Sequence, residues 1–370
     1  MFGYDERTGV ASKFQVVPEF KRDTGDSRTC DGNLVHAPRT AGILTALCER
    51  ATNLTEPGRG RATVTFPELK RAGVRTGVAT VIARFETPVD HAFGWSSPEA
   101  CYASAMGQLA YYRAMERNGW VRQLRTRADL RDHAAAAARD PDAVPFGFVL
   151  SMECADPILD VAQLDEWYGH GLRAIGLTHY GANRYGGGTR SEVGLTLDAV
   201  PLLKAMERLD VALDLTHLSD RAFCQVSSHF GGRVLASHQN CRALCDWSRQ
   251  FTDEQVKSTV ERGGVIGIAF DAIMLQPGWV RGSGTPTVTI EAAVDHIDHI
   301  CQLAGHARGV GIGSDLDGGY GTEQTPADLD TIADLRKLPE LLERRGYRAA
   351  DIQGILTGNW LRFFAEVLPE

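Results

Sequence analysis

No stretch of the 370-residue chain is an uninterrupted apolar run of membrane-spanning length, so a transmembrane helix and a membrane partner are not expected. Positive charge is also scarce: 39 Lys and Arg stand against 47 Asp and Glu, a formal net charge of −8. A nucleic-acid partner calls for a basic face, and that class is not expected either. The opening MFGYDERTGVASKFQVV has neither a basic n-region nor a continuous apolar h-region, so no secretory signal is expected. Paired cysteines at zinc-finger spacing are missing: of eight cysteines, Cys241 and Cys245 form the only close pair, with no second pair behind it. Reduced, packing cysteines in a cytoplasmic protein are the expectation. Repeats, low-complexity tracts and a recognisable linker are absent as well.

What is present is a regular alternation. Short Gly-rich or β-branched apolar runs recur at CDGNLV (30–35), GVATVIARF (77–85), FGFVLSME (146–153) and RAIGLTH (173–179). They continue at VALDLTH (211–217), RVLASH (233–238), GVIGIAFD (264–271) and GVGIGSD (309–315). Stretches with helical periodicity separate them, such as the one opened by Ser97-Pro98-Glu99 and stopped near Gly119. Strands alternating with helices imply βαβ units and a parallel sheet. Eight in succession predict an α/β fold, one (β/α)8 TIM barrel over residues 1–370 with an N-terminal extension and loop insertions.

Active sites of such barrels lie at the C-terminal ends of the strands. Glu153, His179, His217, His238 and Asp315 are expected within the last one or two positions of five strands. A lone His or Asp after a strand is ordinarily a cap or turn residue; five at one level point to chemistry. Two imidazoles and a carboxylate leave a coordination position open for water, and a metal there acidifies that water and polarises a carbonyl. Asp315 could receive the proton or ligate a second metal, and His179 could donate to an oxyanion.

In order and spacing, LSMECADPI, GLTHYGANRYGGG, LDLTHLSD, ASHQNCRAL, GIGSDLDG and GNWLRFF resemble the motifs of the membrane (renal-type) dipeptidase family, the M19 metallopeptidases, over roughly residues 75–368. The resemblance implies a barrel of the metal-dependent amidohydrolase type, usually a dimer, with a two-zinc centre that cleaves dipeptides. Carried over by position, Glu153 matches the bridging carboxylate and His217 and His238 the ligands of the second metal. His179 matches the histidine at the substrate carbonyl, and Asp315 the aspartate that handles the proton. The family's carboxylate-binding arginine, eleven residues past the last metal histidine, selects Arg249, with Arg242 as the nearer competitor.

The first strand departs from the family. Where the family has His-x-Asp for its first metal, DGNLV places Asn33 and Val35. Asn is a weak zinc ligand and Val is none. His36 has the opposite strand parity, and Asp31 lies two residues lower. The expectation is therefore a hydrolase of dipeptides or similar small amides with one divalent metal, most simply zinc, rather than two. The alternatives are a repurposed lyase, isomerase or esterase and a non-catalytic small-molecule binder. Smaller expectations are a flexible lid at RYGGGTR (184–190), solvated or capping His296 and His299, and a packing role for Cys154. Asp317 is expected to orient a ligand or turn, and Asn359 to cap a last helix whose Trp360 closes the barrel.

Overall fold

The structure, a computed structural model, describes residues 63–86 and 94–370, with the backbone of the pairs 4–5 and 10–11. The strand expected at 30–35, and with it Asp31, Asn33, Val35 and His36, lies outside the described residues. The wall strands are β1 (Thr76–Ile82), β2 (Val121–Gln123), β3 (Phe146–Glu153) and β4 (Leu172–Gly176). They continue with β5 (Ala212–Asp214), β6 (Val234–Leu235), β7 (Ile266–Ile268) and β8 (Val310–Ile312).

All pairings among them are parallel. β1 lies against β3, β3 against β4, β4 against β5 and β5 against β6. A single bridge from Ala236 to Ile266 hands the wall on to β7, which pairs with β8. Strands that follow in sequence thus neighbour one another, the order of an α/β barrel wall. β2 is the exception, pairing with the foot of β3 at Val121–Phe146. It was not anticipated, because three residues with a charged centre carry no strand periodicity.

Burial explains why β3 reads as a near-continuous apolar run. All eight of its residues are buried, as a strand covered on both faces requires. Two glycines matter for a different reason. A Cβ on Gly267 or Gly313 would lie 2.2 or 1.9 Å from the Ser237 carbonyl, so only glycine lets β7 and β8 approach the chain just before His238.

The helix Pro98–Arg117 begins as expected, with Ser97 accepting from the Ala100 amide at 3.2 Å and proline at its first position. The final helix Asn359–Val367 does pack on the barrel: Trp360 Nε1 donates to the Ile312 carbonyl at 2.9 Å. Asn359 is not its cap. Its Nδ2 donates to the carbonyls of Ala307 and Val310, each at 2.7 Å, tying the helix to the entrance of β8. Asp317 holds a neighbouring stretch of chain, accepting from Thr63 N, Thr63 Oγ1 and Val64 N at 2.8–3.0 Å.

His296 corrects a further expectation. It is 1% exposed, and its Nδ1 accepts from the Cys241 amide at 3.0 Å. The apolar face of the helix Glu291–Ala304 carries it inward, whereas His299 stays half-buried against Asp253 at 2.7 Å. Among the described residues no helix is long and apolar enough to cross a membrane.

Candidate active site

The candidate residues converge, but not where strand counting put them. Only Glu153 ends its strand; His179, His217, His238 and Asp315 each lie three residues beyond the ends of β4, β5, β6 and β8. The chain leaves the ladder to aim them. His217 and Asp315 have φ of 68° and 54°, a left-handed backbone that costs a non-glycine residue energy and clusters at functional sites.

Glu153, His217 and His238 form a buried cluster whose donor atoms could hold a metal ion. His217 Nε2 lies 3.1 Å and His238 Nε2 3.5 Å from Glu153 Oε1, and the two nitrogens are 3.2 Å apart. Ligands of a tetrahedral ion with bonds near 2.0–2.1 Å are separated by about 3.3 Å, so this triangle has the size of one face of such a shell. Neither Glu153 carboxylate oxygen has a hydrogen-bond partner among the described residues, an arrangement that a bound cation would relieve.

Both imidazoles are oriented from behind. Thr189 Oγ1 contacts His217 Nδ1 and Ser237 Oγ contacts His238 Nδ1, each at 2.9 Å, leaving the two Nε2 atoms to face Glu153. Electrostatics suit the same reading. Burial, with the Arg249 guanidinium adding to it, holds both imidazoles well below their ordinary range and therefore neutral. Burial pushes the Glu153 carboxyl well above the ordinary range, and Asp315 and Asp214 push in the same direction. The cluster by itself thus resists negative charge and offers two neutral nitrogens, the state a cation would use.

His179 stands beside this triangle rather than in it, with Nε2 3.6 Å from Glu153 Oε1 and its ring 4.3 Å from that of His217. Arg249 is buried, with Nη2 donating to the His238 carbonyl at 2.8 Å and Nη1 to Gln239 Oε1. Arg242 is engaged elsewhere, with both Nη atoms 2.8 Å from the Asp220 carboxylate. Of the two arginines, Arg249 is the one near the cluster.

Several contributors carried no sequence signal. Tyr180 stacks edge-on to His179 at 4.9 Å, and Arg190 lies 5.6 Å from its ring centre. Half-buried Asp214 accepts from the amides of Thr216 and Ser237 at 3.1 and 3.0 Å, bracing the turns before His217 and His238. Thr189 lies within the segment expected to be a lid. Residues 185–189 are instead buried, with Gly188 N donating to Gly181 O at 2.7 Å and Thr189 N to His179 O at 2.8 Å. Cys154 fits its packing role: burial pushes the thiol well up, and Sγ donates to Asp156 Oδ2 at 3.1 Å.

A family model for membrane dipeptidase, peptidase family M19, matches residues 40–368. The chain belongs to this family. It is 32% identical over 212 residues to an uncharacterised protein of the pqqA 5′ region of Klebsiella pneumoniae, covering 55% of this chain and 75% of that one. It is 30% identical over 245 residues to an uncharacterised dipeptidase of Schizosaccharomyces pombe, covering 63% of this chain and 56% of the yeast protein. The match therefore spans little more than half the yeast relative's length. A metallopeptidase of Rhodobacter sphaeroides, solved with a phosphinate mimic of L-Ala-D-Ala, superposes with a TM-score of 0.71 at 23% identity over 90% of this chain and 99% of its own. The fold is the TIM barrel of metal-dependent amidohydrolases, and the family is one of metal-dependent hydrolases.

Proposed function

We propose that the chain hydrolyses a dipeptide or a similar small amide with a free carboxylate, using one divalent metal ion, most simply zinc, held by Glu153, His217 and His238. The observation that carries the reading is the donor triangle with its orphaned carboxylate. A metal bound there would supply an acidified water and a polarised carbonyl. Asp315 accepts the proton of the attacking water at its carboxylate and returns it to the departing amine. His179 donates from Nε2 to the oxygen that gains charge as the amide carbon becomes tetrahedral. Arg249, with guanidinium hydrogens beyond the two already engaged, fixes the substrate carboxylate. Membership in a dipeptidase family, and a relative liganded with a dipeptide mimic, make dipeptides the first class to test.

Asn33 and Val35, in place of the His-x-Asp pair, favour one metal over two and keep a second reading in view, the same barrel turned to another reaction. Elemental analysis of the purified protein, with a dipeptide panel on the same sample, separates them. One metal per chain with dipeptide turnover supports the proposal; one metal without turnover favours the repurposed barrel. Two metals per chain contradict the single-ion site. Glu153→Ala and His217→Ala are each expected to abolish metal retention and turnover together, and normal turnover in either variant defeats the assignment.

A further inference from the structure

Beside the ligand triangle lies a second polar group that the proposed reaction leaves unused. β7 and β8 pair with Ile268 opposite Ile312, and the Phe270 amide donates to the Ser314 carbonyl at 2.9 Å. Carrying that register three residues onward sets Asp271 level with Asp315. Asp271 Oδ1 is occupied, accepting from the Ile273 amide at 2.9 Å and from Gln324 Nε2 at 2.8 Å. Capping the short helix Ala272–Leu275 accounts for that oxygen alone. Oδ2 accepts no hydrogen bond among the described residues, and Asp271 is partly accessible.

No ion pair to Asp271 forms among the described residues. Arg281 gives its Nε to Gln324 Oε1 at 2.6 Å and its Nη2 to the Gly319 carbonyl at 3.3 Å. Tyr320 is the second, independent observation. It is 3% exposed, its hydroxyl has no hydrogen-bond partner among the described residues, and it follows Gly319, whose carbonyl Arg281 holds while also donating to Gln324, the partner of Asp271. A buried hydroxyl without a partner is costly unless a ligand completes it. Asn240 Nδ2 donates to the Ala269 carbonyl at 3.1 Å and its Oδ1 accepts from the Ala269 amide at 2.9 Å, while Arg249 donates to the neighbouring Gln239, so Asp271 follows a strand exit that lies against the segment holding the proposed carboxylate-binding Arg249.

We propose that Asp271 Oδ2 and the Tyr320 hydroxyl form a subsite for a cationic side chain, amine or guanidinium, on the carboxyl-terminal residue of the substrate. An ammonium or guanidinium brings several donors and no acceptor, matching two oxygen acceptors that lack partners. The inference rests on the amide-hydrolase reading above and narrows its substrate class to basic dipeptides.

The test uses the metal-loaded full chain and phosphinate mimics of Ala-Lys, Ala-norleucine and Lys-Ala, with affinities measured by calorimetry. The α-ammonium is common to all three and cancels. The Ala-Lys mimic is expected to bind at least about tenfold tighter than the norleucine mimic, with Asp271→Asn bringing the ratio close to one and Tyr320→Phe lowering it. Equal affinities in the wild type, a ratio that survives Asp271→Asn, or a preference for the Lys-Ala mimic overturns the subsite. Cleavage of neutral dipeptides without charge preference overturns the subsite and leaves the hydrolase reading intact. Failure of all three mimics to bind, together with no dipeptide turnover, removes both.

Discussion

Thr189 and Ser237 occupy the Nδ1 sides of the two buried histidines, and each hydroxyl can take an Nδ1–H. That choice fixes the tautomer in which Nε2 keeps its lone pair for a metal. Removing a hydroxyl without changing shape leaves an imidazole free to turn or to carry its proton on the wrong nitrogen. Thr189→Val and Ser237→Ala are each expected to lower metal affinity about 10–100-fold. A competition titration against a chromophoric chelator reads this without any assay of turnover; unchanged affinity in both variants would show that packing alone orients the rings. At this scale the sequence was legible for the three donors that cluster and silent about their supports. Glu153, His217 and His238 stand out because each follows an apolar run, whereas Thr189 is buried within a glycine-rich stretch and Asp214 lies inside a strand motif. What fixes their roles is contact across elements, which spacing along one element does not encode. Asp31 and Asn33 lie outside the described residues, so the first strand is known only by its letters.

The elements show why placement was read better than boundaries. β3 has its expected limits because it is buried on both faces and its apolar pattern fills it. β5, β6, β7 and β8 are only two or three residues long, and the motif residues beyond them form the turns that carry the site. An apolar run of seven cannot by itself say where the ladder stops and a positive-φ turn begins. The helix Glu291–Ala304 teaches the same point from outside the wall, since DHIDH reads as polar while the apolar face of the helix carries His296 into the core. Burial holds that imidazole down to about 3 from 6.5. Below about 6.5 the unfolded chain binds a proton at this residue, whereas the folded chain does so only near 3. The stability from keeping His296 neutral is therefore full above 6.5 and is lost as pH falls toward 3, by at most roughly 4–5 kcal/mol. Urea midpoints measured from pH 7 to pH 4 should fall more steeply in the wild type than in His296→Gln. Parallel slopes would show that His296 does not contribute to the acid sensitivity.

Across the whole molecule, one carboxylate at the centre of the wall sets stability and function against each other. Glu153 is buried at the end of β3, braced by β1 and β4 and facing imidazoles from beyond β5 and β6, with no hydrogen-bond partner among the described residues for either oxygen. Without a cation the fold must desolvate this group, which is why its carboxyl is pushed upward. With a cation the same group would join three strands through their exits, and binding would stabilise the folded state by mass action, about 4 kcal/mol when free metal exceeds Kd a thousandfold. Glu153→Gln keeps the shape and removes the charge. It should therefore unfold at a higher temperature than the wild type in excess chelator, by a margin worth about 1 kcal/mol. In excess zinc the order should reverse, with the wild-type midpoint several degrees higher than in chelator and the variant's nearly unmoved. Such a crossing is the behaviour of a site whose fold carries a strained group for the sake of its ligand. If the variant were the less stable protein in both conditions, the carboxylate would be a structural member of the barrel, and its orphaned oxygens would need another explanation than a metal.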